Sequence, residues 1–271
     1  MGFFGNISNT ILMMKASANV LKKDKELIFF PLLAAASIAV FLALMWSFGV
    51  IGLDNTEEEG QPIAVYVVIV FVSNFIIVFF NSALVSAALE RLRGGDPNVY
   101  SGFSHALKHI HHILIWSIIV TIVAILIAAI KGNRRGIVGQ ILGSLLQAGW
   151  TMMTFFVVPI IVSENLSPFA AIKKSTSLFK STWGSQITAN FGFGIFQILA
   201  LIVSAAIGWF FGLIDTTFGL VIGVLVAAAS VTIIYTLEGI YKAALYEFAL
   251  GEKPLEFQES QLKTAYSVYR A

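Results

Sequence analysis

Apolar residues run through this chain in six long blocks, at residues 27–51, 63–90, 112–130, 137–163, 187–214 and 219–241, with little polar interruption inside any of them. A helix rises 1.5 Å per residue, so about 20 apolar residues cross a hydrocarbon core of roughly 30 Å. Each block meets or approaches that length and predicts a membrane-spanning helix. The stretches before the first, third and fifth blocks differ, because they mix apolar and basic positions at helical spacing: Phe3 to Lys25, Phe103 to His112 and Phe169 to Trp183. Such segments lie along the headgroup region rather than across the bilayer. In the last of them Phe169, Ile172, Phe179 and Trp183 recur near helical spacing, Lys173, Lys174 and Lys180 occupy the polar side, and Ser167 is a natural N-cap.

The ends of the spans suggest an internal repeat. The second closes with Ala87-Ala88-Leu89-Glu90 and then Gly95-Asp96-Pro97; the sixth closes with Ala243-Ala244-Leu245, Glu247 and then Gly251-Glu252-Lys253-Pro254. The fourth ends at Glu164 and is followed by Ser167-Pro168. Proline cannot continue a helix and is well placed to begin the next one. The expected fold is therefore an all-α, polytopic membrane helical bundle with six transmembrane helices, built from an interfacial helix plus a helical hairpin used three times. Ordinary alternation in a polytopic chain is the competing explanation. The chain reads as one integral-membrane domain, residues 1–271, with an amphipathic segment at 1–26, the spans at 27–249 and a tail at 250–271.

Composition changes this picture little: 58% hydrophobic residues against 12% charged leaves too little polar surface for a water-soluble domain of 271 residues. No room is left for an appended catalytic domain, so any activity is expected in the bundle or on its rim. The first apolar run starts after residue 26 and is too long for a signal core, so it reads as a permanent span. Cysteine is absent, which excludes disulfides, thiolate metal sites and a Cys nucleophile.

Charge adds an orientation. Cations near span ends are retained on the cytoplasmic side, and with a cytoplasmic N-terminus fourteen of the seventeen Lys and Arg residues fall there. The exceptions, Lys131, Arg134 and Arg135, share the turn between the third and fourth spans, while the turn holding Asp54, Glu57, Glu58 and Glu59 is purely acidic. Both termini are thus expected in the cytoplasm. Lys22, Lys23, Arg91, Arg93, Lys173, Lys174 and Lys180 become candidates for binding anionic headgroups, each near-surface cation contributing about 1 kcal/mol. They serve equally as an ordinary basic rim that braces the hairpins.

Polar residues inside the spans recur seven apart: Asn74 with Asn81, Gln140 with Gln147, and Asn190 with Gln197. Seven residues is close to two turns, so each pair shares a face. An amide facing lipid leaves its donors unsatisfied, so these stripes are expected to face protein or water. They form either a polar seam for a small solute or ion, or hydrogen-bonded glue between helices. Gly139 with Gly143, Gly208 with Gly212 and Gly219 with Gly223 have the spacing of close helix contacts. Glu238 and Lys242 lie one turn apart where the sixth span reaches the interface, a position that suits a surface ion pair better than a buried proton relay.

All four histidines lie within eight residues, at 105, 109, 111 and 112. On one continuous helix His105, His109 and His112 share a face, a spacing that lets imidazoles share a metal ion, with Glu90 or Asp96 as a further ligand if the preceding loop folds back. Membrane di-iron enzymes need several such histidine clusters, and this chain has one. No Walker A loop, HExxH or GxSxG is present, and nothing points to nucleic acid.

From Trp150 to Gly184, the run of Trp150, Thr154, Phe155-Phe156-Val157-Val158-Pro159, Glu164, Ser167-Pro168, Ala171-Ile172-Lys173, Ser175 and Trp183-Gly184 resembles an uncharacterised prokaryotic six-span integral-membrane family. That family is similar in turn to the membrane domain of some glycerophosphodiester phosphodiesterases. The opening Leu27-Ile28-Phe29-Phe30-Pro31, after an amphipathic helix, fits as well. The resemblance implies a bacterial or archaeal cytoplasmic-membrane protein and carries over no catalytic residue. The expectation is a non-enzymatic membrane component that organises lipids or partner proteins, with no cofactor. A homo-oligomer is compatible with it. The alternatives are a channel or carrier along the amides and a metal-dependent membrane enzyme using the histidines.

Overall fold

The structure is a computed structural model that describes residues 3–51, 63–133, 137–183 and 192–263. All the secondary structure among those residues is helical. Six stretches are long and apolar enough to cross a membrane: Lys25–Ser47, Ile63–Leu92, Ile110–Gly132, Val138–Glu164, Phe193–Gly212 and Thr216–Ala249. The chain is a polytopic all-helical protein, as its apolar blocks predict. The turn residues Asp54, Glu57, Glu58, Glu59, Arg134 and Arg135, together with Gly184, Asn190 and Arg270, lie outside the described residues.

The element order is one helix outside the apolar stretches followed by a pair of spans, three times over. Helix α1 (Phe3–Lys23) precedes α2 (Phe29–Ser47) and α3 (Ile63–Leu92); α4 (Val99–Lys108) precedes α5 (Ile110–Asn133) and a span made of α6 (Ile137–Met153) and α7 (Val157–Glu164). Helix α8 (Pro168–Trp183) then precedes α9 (Gly192–Gly212) and α10 (Thr216–Ala249), and a short α11 (Glu259–Lys263) follows.

The second span of each pair stops in the same way. A residue of left-handed backbone follows α3, α7 and α10, namely Gly94 (φ 91°), Asn165 (φ 53°) and Gly251 (φ 88°). Pro97, Pro168 and Pro254 each stand three places further on. After α3 the Gly95 N–H returns to the Glu90 carbonyl at 2.9 Å, and after α10 the Glu252 N–H returns to the Glu247 carbonyl at 3.0 Å. These are the bonds of a Schellman cap, which satisfies carbonyls that the helix end leaves open. The matching Ala87-Ala88-Leu89 and Ala243-Ala244-Leu245 are all buried, where small side chains let helices approach closely.

One compact unit comprises residues 1–29, 87–99 and 180–271. Within it α1 buries Met13, Ala16, Ser17 and Val20, one stripe of a helix, and leaves Lys15, Asn19, Lys22 and Lys23 exposed. Asp215 caps α10, its Oδ1 accepting the Phe218 N–H at 2.8 Å. Helices α9 and α10 meet through glycine: a Cβ at Gly219 would lie 2.3 Å from the Gly212 backbone, and one at Gly208 would lie 3.0 Å from the Gly223 Cα. That closeness replaces the hydrophobic drive that lipid does not supply.

A second unit comprises residues 30–86 and 100–179. Its fourth span is interrupted at Thr154–Phe156, a difference from the single helix expected over 137–163. Pro159 explains the position, because a proline inside a helix removes the bond to the carbonyl four residues earlier, here Phe155, and its ring crowds that group. The break is closed by hydroxyls. Ser175 of α8 accepts the Phe156 N–H at 3.0 Å, and Thr154 Oγ1 donates to the Trp150 carbonyl at 2.7 Å.

Candidate functional site

Charged residues gather where helices leave the apolar stretches, and their pairing decides what the basic rim can do. In the first unit the Asp24 carboxylate, 5% exposed, meets Arg91 Nε at 2.7 Å. Arg91 also donates to the Gly95 carbonyl at 3.0 Å and stands 3.7 Å from Asp96. Burial pushes the Asp24 carboxyl above its ordinary value, and the Arg91 guanidinium pulls the other way. Arg93 holds Glu247, a side chain 4% exposed, by two N–H groups on Oε1 at 3.2 and 2.7 Å. That hydrogen bond raises the guanidinium further above its ordinary value. Lys23 pairs with Glu256, and the Glu26 carboxylate accepts the Val99 N–H at 3.0 Å. Beside these groups lies a cavity of about 200 Å³ walled by Val20, Lys23, Arg91, Leu92 and Leu255.

In the second unit Lys174 pairs with Glu164 at the foot of α7. Four of the seven candidate headgroup cations, Lys23, Arg91, Arg93 and Lys174, are therefore held by carboxylates of the chain itself. Lys22, Lys173 and Lys180 are exposed. The two lysines of α8 lie seven residues apart and so share a face, while Ala171, Ser175 and Phe179 of the same helix are buried.

The histidines fall on a helix break. α4 ends at Lys108, His109 occupies a turn and α5 starts at Ile110, so the continuous helix that would align His105, His109 and His112 is not formed. His105 donates Nε2–H to the Val162 carbonyl at 2.8 Å, and His109 Nδ1 lies 2.9 Å from Asn165 Oδ1. The two imidazoles thus fasten α4 and the turn after it to the end of α7. Burial lowers the His109 pKa from its ordinary value, more than the Asn165 hydrogen bond raises it. The His105 and His109 rings are 5.2 Å apart, and among the described residues no group of three or more histidine or acidic side chains is arranged to hold a metal ion.

The amide pairs have three different settings. Asn74 Nδ2 donates to Thr121 Oγ1 of α5 at 3.2 Å, and Asn81 on the same helix is half-buried. Gln140 and Gln147 are exposed on α6, and Gln197 is half-buried on α9. Glu238 and Lys242 form the expected pair at 2.8 Å, each side chain about one-third exposed. Asp24, Thr121, Asn165 and Glu256 were not singled out by the sequence, and Ser175 stood out there only as part of the run that resembles the family. Only the Pro159 that creates the need for Ser175 leaves a trace in it.

Residues 61–254 match a family of unknown function, DUF6159. No curated protein and no solved structure matches the chain, so the likeness to the membrane domain of glycerophosphodiester phosphodiesterases has no counterpart in these comparisons.

Proposed function

Because the chain belongs to that family of unknown function, its role has to be argued from its own surface, and we propose that it is a non-enzymatic membrane protein that gathers anionic lipid at the cytoplasmic leaflet. The carrying observation is the exposure of Lys173 and Lys180 on one face of α8, a helix whose opposite side, with Ala171, Ser175 and Phe179, is buried. Lys22 on α1 has the same character. This reading puts both termini in the cytoplasm of a bacterial or archaeal cell and α8 flat in the headgroup layer. The carrier reading has less support, since Asn74 already bonds Thr121.

Reconstitution into vesicles of mixed zwitterionic and anionic lipid, with the lipid shell analysed after mild extraction, tests the proposal. At about 1 kcal/mol for each cation, Lys173→Ala with Lys180→Ala should cut anionic enrichment roughly tenfold or more. Lys174→Ala is a poor substitute, because it also breaks the pair with Glu164. An unchanged lipid shell in the double variant would sink the idea.

A further inference from the structure

The fourth span, which opens with α6, is the least apolar of the six, and the polar groups of α6 are not scattered. Gln140, Ser144, Gln147 and Thr151 are all exposed, at spacings of four, three and four residues. That is the d-a-d-a spacing of a heptad, which keeps one seam facing a partner helix along its length. At 100° per residue the four positions fall within about 60° of one another. Gly139 and Gly143, both buried, and Trp150, stacked on Trp116 of α5 at 5.8 Å, lie about a quarter turn away. The contact with α5 therefore does not cover the seam. Depth makes the exposure costly: Gln147 comes nine residues after the span begins at Val138, about 13 Å into a core of roughly 30 Å, where lipid offers an amide no hydrogen bond.

We propose that this seam is the contact between two copies of the chain, paired about a two-fold axis normal to the membrane. The polar groups select that occupant. Each glutamine carries both a donor and an acceptor, so Gln140 and Gln147 are complementary to the same residues of a parallel copy, as an isologous contact requires. Ser144 between them is small enough to let the backbones close. A partner of acidic or basic character finds no opposite charge on this face.

The absence of cysteine from the chain makes the test clean. Ser144→Cys is introduced alone, and disulfide formation is followed in native membranes and in vesicles at low protein density. Leu142→Cys, exposed on the opposite side of α6, serves as the comparison. A disulfide-linked dimer from Ser144→Cys and little from Leu142→Cys is the expected result. Adding Gln147→Leu should lower the linked fraction about three- to thirtyfold, the range for losing an interhelical hydrogen bond, and Gln147→Asn should restore part of it. Equal cross-linking at both cysteines, no cross-linking at Ser144→Cys, or linkage that survives Gln140→Leu with Gln147→Leu each overturns the proposal. So does recovery of Ser144→Cys linked to a different protein.

Discussion

Ser175 is fully buried, and its Oγ accepts the Phe156 N–H at the point where the fourth span stops being helical. Removing the hydroxyl takes this acceptor away from a buried N–H, a cost of about 1–3 kcal/mol. Thermal unfolding in detergent should show Ser175→Ala clearly destabilised, while Ser177→Ala, an exposed hydroxyl on the same helix, should not shift the midpoint. His109 makes a second prediction, about pH. Burial depresses its folded pKa below 6.5, against the hydrogen bond to the Asn165 Oδ1 and with His105, His111 and Lys108 acting in the same direction as burial. A depressed base contributes stability that is present above its ordinary pKa and lost as the pH falls through the folded value. Stability should therefore fall as the pH is lowered below about 6.5, and His109→Gln should fall less steeply. A parallel pH profile for the two proteins would contradict this.

At the scale of the element, the α9–α10 hairpin depends on backbone closeness that no larger residue allows. A methyl at Gly219 would meet the Gly212 nitrogen at 2.3 Å and the Gly208 carbonyl at 2.5 Å, all backbone atoms that cannot swing aside. Gly219→Ala should thus force the helices apart and cost about 1–3 kcal/mol or more. Gly194→Ala, with nothing within 4 Å, should leave the unfolding midpoint unchanged. Glycine spacing announced this contact from the sequence, since Gly208, Gly212, Gly219 and Gly223 repeat at four-residue intervals within each helix. The histidines show the opposite case. Their spacing assumed one helix through residue 109, but the chain turns there and points two rings at the end of α7.

For the molecule as a whole, the charge distribution predicts its orientation in the membrane. Glu58→Cys, in the acidic stretch of sequence after the first span, should react with an impermeant thiol reagent added to intact cells. Lys253→Cys, beyond the last span, should react only after the cells are opened. Reversal of the pair would leave the helices in place and invert the proposed face for lipid binding. The same rim shows how tertiary contacts revise a reading from charge alone. Lys23, Arg91, Arg93 and Lys174 look as available as Lys22, Lys173 and Lys180 until the chain brings Glu256, Asp24, Glu247 and Glu164 to them.

Number and order of the spans were determined by the sequence alone, because in lipid a run of apolar residues must close its own backbone hydrogen bonds and a helix of bilayer length is the simple way to do so; their ends were not, since the sixth runs from Thr216 to Ala249 where the apolar block covers 219–241. The three stops were legible for the same local reason, since glutamate and a following proline act over a few residues, whereas the left-handed residue at Gly94 and Asn165 came from the structure. Which cations stay available, which hydroxyl repairs the break before Pro159, and that Gln140 and Gln147 face outward were decided by tertiary structure. Those outcomes depend on partners as far away as Glu256 from Lys23, and side-chain pairing across such distances leaves no periodic mark in the chain.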